Sequence, residues 1–133
     1  MDARELMAGP FWRLVGMEVV REPDGTDAVR LRVGEEHFQI MGRVHGGVLA
    51  SLVDSAIALA VHAPMPPDSA AATVDLHVQY LRAVTEPCVL MARGRVLARG
   101  HTVALARAEV TGSDGTVVYA VGSATYRLYP RGT

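Results

Sequence analysis

The chain has no lysine: all thirteen basic residues are arginine. A guanidinium fork suits phosphate oxygens, but a chain this rich in Ala, Val and Gly acquires arginine most simply through codon bias, and the sequence does not show where the arginines gather. A single cysteine, Cys88, excludes an intrachain disulfide; between Pro87 and the apolar Val89 and Leu90 it reads as strand core and fits a reducing compartment. No apolar run reaches the length needed to cross a membrane, and no N-terminal stretch has the layout of a signal peptide, so the expected location is cytoplasmic. The net charge of -1 offers no electrostatic case for nucleic acid or an anionic membrane as partner. What is present is ordinary for a soluble globular protein, with half the residues hydrophobic and a fifth charged. At 133 residues it reads as one domain over 1–133, large enough for one core and small enough to gain from association.

In chain order, residues 3–15 read as a short helix or two half-turns broken at Gly9-Pro10. A hairpin follows, with strands over 17–21 and 28–33 around the turn Glu22-Pro23-Asp24-Gly25. Residues 34–44 hold no period and read as a loop of the kind that carries function. A helix over 46–62 is stopped by Pro64, Pro66 and Pro67. Four strands then run over 72–82, 88–98, 102–111 and 116–128, separated by turn signals. In the first, period two places Val74, Leu76, Val78 and Tyr80 on one face and Asp75, His77 and Gln79 on the other. Strands of about 33 Å are longer than a helix of about 24 Å, so a twisted antiparallel sheet of five or six strands can curl around it. The expected class is α+β.

The organising stretch is Gln39 to Gly47 with the apolar run behind it. From Gly46 through Val61 the only hydrogen-bonding side chains are Ser51, Asp54 and Ser55, which share one stripe at i, i+3 and i+4. Gly46 and Gly47 open the helix with bare backbone N–H groups, a ready site for developing negative charge. Gly46 and Asp54 are eight residues apart, about 12 Å along a helix. One small reacting centre cannot touch both within one chain. If both act on one carbonyl, two helices must lie side by side in opposite directions, as a two-fold dimer allows.

The set Gln39, His45, Gly46, Gly47 and Asp54, in that spacing, resembles the hotdog-fold acyl-CoA thioesterases, and in particular the phenylacetate-degradation (PaaI-like) branch. Thr73-Val74-Asp75-Leu76 resembles the Ser/Thr-Val-Asp start of the strand after the helix in that family. The resemblance covers roughly residues 15–128. It implies a sheet wrapped on one helix, an acyl-CoA substrate, and a homodimer or a homotetramer of two dimers. It also implies that Asp54 is the nucleophile or the general base, that the Gly46 N–H polarises the carbonyl, and that Gly47 assists or permits close approach. His45 would act as a base or shape the loop, Gln39 would position the thioester or water, and Thr73 would hold the water. Gln39 departs from the Asn usual in the PaaI-like branch; a related branch pairs Gln with Glu, so the pattern here is mixed.

Ser55 and Met41 are candidates for substrate binding, Met41 and the apolar strand faces admit an aryl or medium-chain acyl group, and Arg82 and Arg99 are candidates for the coenzyme A phosphates. His37, His62, His77 and His101 form no HxxxH pair and have no Cys partner, so neither metal nor cofactor is expected. The rival reading is a hotdog protein that binds an acyl-CoA as sensor or carrier without hydrolysing it; a carboxylate beside the thioester argues for hydrolysis.

Overall fold

The computed structural model describes residues 2–132. Two short helices, α1 (Ala3–Met7) and α2 (Pro10–Val15), lead into a hairpin of β1 (Met17–Arg21) and β2 (Asp27–Arg32). A 3-10 turn over Glu35–His37 lies in the loop read as aperiodic, and the long helix α3 runs over Gly46–His62. The chain closes with β3 (Ser69–Tyr80), β4 (Val89–Arg99), β5 (Val103–Gly112) and β6 (Val118–Pro130). All six strands form one antiparallel sheet in the order β1-β2-β4-β5-β6-β3. Wrapped on α3, it is the hotdog fold that the resemblance implies. Among the described residues no helix is long and apolar enough to cross a membrane.

The helix sits close to the sheet because the sheet offers it small side chains. Along β5, Ala104, Ala106, Ala108 and Val110 are buried while Val103, Leu105 and Arg107 are exposed, the alternation of a strand with one covered face. Ala92 on β4 and Ala120 and Ala124 on β6 extend the same carpet. From above, Leu49, Leu52, Val53, Ala56 and Ile57 of α3 fill the core. Gly94 marks the tightest approach: a Cβ there would lie 2.5 Å from the Ala56 carbonyl oxygen. Gly94→Ala should therefore push backbone against backbone and destabilise the fold by about 1–3 kcal/mol. Chemical denaturation checks this; a midpoint equal to wild type would mean the helix stands off from β4.

Strand β3 lies at the sheet edge, paired on one side with β6, and begins at Ser69 rather than 72. Its register breaks between Thr73 and Asp75. Thr73 pairs with Tyr126 and Leu76 with Ala124, so Val74 is the extra residue of a bulge and is 63% exposed. This corrects the period-two expectation that Val74 shares a face with Leu76, Val78 and Tyr80. A bulge inserts one residue and re-aims what precedes it; here it brings Thr73 onto the helix side.

Candidate active site

The start of α3 is built from the loop before it. The Gln39 amide N–H donates to the Arg43 carbonyl at 2.8 Å and the Gly42 N–H to the Gln39 carbonyl at 3.2 Å, a tight turn in which Gly42 takes φ +81°. The Gln39 side-chain carbonyl accepts from the Met41 N–H, which orients its NH2 group as a donor. The loop is pinned at its far end by Val44 N–H to Val84 carbonyl at 2.9 Å and His45 N–H to His37 carbonyl at 2.9 Å. His45 is the N-cap of α3: its Nδ1 accepts from the Gly47 N–H at 2.8 Å. The two glycine N–H groups are therefore not equivalent. That of Gly47 is taken by the cap, whereas no described group accepts that of Gly46. The Tyr80 hydroxyl, from the end of β3, donates to the Gly46 carbonyl at 2.9 Å.

Two turns along α3, Asp54 is held by two hydroxyls. Thr73 Oγ1 donates to Asp54 Oδ1 at 2.9 Å. The Tyr126 hydroxyl reaches the same Oδ1 at 2.6 Å, with the Asp54 carbonyl a second acceptor at 3.0 Å. Tyr126 is 3% exposed. Burial first, then the charge of Asp54, push its phenol well above the usual tyrosine range. It therefore stays protonated and acts as a donor.

Tyr126 is the site residue that the sequence reading missed. The available signal was a tyrosine on the inward, alanine-rich face of a strand, since a buried tyrosine hydroxyl needs a partner and Asp54 is the sole carboxylate of α3.

The remaining candidates scatter. Ser51 bonds back to the Gly47 carbonyl at 2.7 Å, and Ser55 is buried inside the subunit. The expected polar stripe is thus divided, because the sheet covers more of the helix than a single face. Met41 is 74% exposed beside the fully exposed Ile40. Arg82 is exposed just beyond Tyr80, at the Gly46 end of the helix. Arg99 is at the other end, where its guanidinium donates to the Val61 carbonyl at 2.6 Å and satisfies an open carbonyl of the last turn. Gly46 and Val61 are about 22 Å apart at the rise of a helix, so within one chain Arg99 does not serve a ligand at Gly46. His62, near the same end, bonds the Ala58 carbonyl at 2.8 Å and is held below the usual histidine range by burial. Cys88 is half-buried just before β4, and burial pushes its thiol up.

Chemically, one end of α3 offers an unengaged N–H at the positive end of a helix dipole, and its middle offers a carboxylate fixed through one oxygen. Residues 41–119 match the family model of the thioesterase superfamily. A curated relative from Halobacterium salinarum, provisionally named an esterase, is 35% identical over 126 residues, covering 86% of this chain and 82% of its own. A mutant form of the phenylacetic acid degradation protein PaaI from Thermus thermophilus superposes with a TM-score of 0.76 at 28% identity, over 90% of this chain and 98% of that one. A Bacillus halodurans protein solved with CoA superposes with a TM-score of 0.85 at 24% identity, over 92% of this chain and 80% of that one. The chain belongs to the thioesterase superfamily, as a PaaI-like thioester hydrolase of the hotdog fold.

Proposed function

We propose that the protein hydrolyses an acyl-CoA thioester to the free acid and coenzyme A, in a site shared between two copies of the chain. The observation that carries this reading is the pairing of an anchored carboxylate, Asp54, with an N–H that no described group accepts, Gly46, on one helix but about 12 Å apart. Two antiparallel helices related by a two-fold axis would bring Gly46 of one copy to Asp54 of the other. The thioester carbonyl oxygen would accept from the Gly46 N–H, which stabilises the charge that develops there. As general base, Asp54 takes a proton from water while the water oxygen bonds the carbonyl carbon; the intermediate expels the CoA thiolate, which recovers the proton. As nucleophile, Asp54 bonds the carbon itself and expels the thiolate, and water then cleaves the mixed anhydride.

The Gln39 NH2 group would orient the carbonyl or the water. His45 would act through its cap, which holds the glycine turn in place. Gly47 would let substrate approach closely. Exposed Ile40, Met41, Tyr80 and Leu81 around the helix start would suit an aryl or medium-chain acyl group, and Arg82 would meet the CoA phosphates. The unpaired edge of β3, twelve residues long with Val74 and Tyr80 exposed, is the kind of edge that a second copy covers. A dimer, or a tetramer of two dimers, is the assembly this site requires; an active species sedimenting as a monomer would overturn it.

The functional test is release of free thiol from a panel of aryl, short and medium acyl-CoA thioesters. Hydrolysis of part of the panel supports the reading and ranks the acyl groups. Tight binding of the thioesters with no thiol released would transfer the case to a sensor or carrier.

A further inference from the structure

We infer that Tyr126 is a positioning residue that, together with Thr73, fixes the Asp54 carboxylate through Oδ1 and so makes Oδ2 the oxygen that reacts. The inference rests on the proposed role of Asp54 and goes beyond it by assigning the two oxygens. Among the described residues both side-chain hydrogen bonds to the carboxylate end on Oδ1, at 2.9 Å from Thr73 and 2.6 Å from Tyr126. Two donors on one oxygen set the plane of the group and occupy the lone pairs of that oxygen. Oδ2 keeps its lone pairs.

The placement is built by the fold. Thr73 and Tyr126 are register partners across β3 and β6, and the bulge at Val74 puts Thr73 on the same side as Tyr126. Tyr126 in turn pairs with the fully buried Ala104 on β5, and its own side chain is buried in the core. Asp75, just past the bulge, accepts from the Thr125 N–H at 3.1 Å. Asp54 is the sole carboxylate on α3, where His62 lies two turns on and bonds Ala58. The carpet under the helix on β4, β5 and β6 is Ala92, Gly94, Ala104, Ala106, Ala108, Ala120 and Ala124. On β3, Leu76 and Val78 continue the helix side towards Tyr80.

Tyr126→Phe keeps the ring and removes only the donor. In steady-state hydrolysis of a substrate from the panel, kcat should fall roughly 10- to 100-fold, the scale of one hydrogen bond to a charged group, with KM changed less than about twofold. Site-specific 3-fluorotyrosine at 126, which keeps the hydroxyl donor at nearly the same size, should hold kcat within about threefold of wild type; it also serves if the Phe variant does not fold. A kcat within about twofold of wild type in the folded Phe variant, or equal losses in the Phe and fluorotyrosine proteins, would reduce Tyr126 to packing and overturn the inference. Asp54→Ala measured alongside separates the two levels. If it is inactive while Tyr126→Phe matches wild type, only the positioning role fails; if it retains turnover, the role of Asp54 itself fails and the inference with it.

Discussion

Asp54→Asn should lower kcat by about 100- to 10,000-fold while leaving KM and the fold nearly unchanged. Asparagine is nearly isosteric with aspartate, and its carbonyl oxygen can accept the same two hydroxyls, Thr73 at 2.9 Å and Tyr126 at 2.6 Å, that Oδ1 accepts in the wild type. The structural role is therefore kept. What changes is the other atom: an NH2 group has no lone pair with which to take a proton from water or attack a carbonyl carbon. Steady-state kinetics beside a denaturation curve checks both halves of the statement. Turnover near wild type at saturating substrate would remove Asp54 from the chemistry. For the same variant, loss of stability by several kcal/mol would mean that the carboxylate is a structural charge.

Gly46→Pro should cost about 100- to 1,000-fold in kcat, as removal of one oxyanion donor does elsewhere, and should do so without unfolding the helix. Gly46 is the first residue of α3, the position where proline is best tolerated because its missing N–H has no intrahelical partner. The preceding His45 has φ -59° and ψ 135°, a conformation compatible with a following proline. The substitution thus removes the one N–H that the account assigns to the carbonyl oxygen. A Cβ at this position would stand 3.3 Å from the Tyr80 ring, so Gly46→Ala is the control: it carries the same crowding but retains the N–H. Equal activity in the Pro and Ala variants would show that crowding, not the lost donor, matters.

The sequence made the architecture legible where local signals agree with tertiary ones. An apolar run ended by Pro64 is helix α3 with the bounds expected, and the hairpin read around Glu22-Pro23-Asp24-Gly25 is the antiparallel pair β1 and β2. The bulge at Val74 was not legible, because a register shift depends on which residue of β6 lies opposite, and Thr73 reaches Asp54 only through that shift. Tyr126 was hidden for the same reason: it lies 72 residues from Asp54, and only the strand order places β6 beside β3. The unlike fates of Gly46 and Gly47 follow from the orientation of the His45 ring, which spacing does not encode. Arg99, one of thirteen arginines, could be assigned only once the C-terminal end of α3 was seen to receive it.

The claim on which the account turns is that one catalytic site takes Asp54 from one chain and Gly46 from another. Co-assembly of the Asp54→Asn and Gly46→Pro chains in equal amounts tests it, with thiol release from an acyl-CoA as the readout. Each mixed pair would rebuild one intact site, from the Gly46 of the first chain and the Asp54 of the second, while its other site would carry both lesions. Random pairing should then restore about a quarter of wild-type activity from two nearly inactive parents. Activity no higher than that of the parents, in a preparation shown to contain mixed pairs, would contradict a shared site.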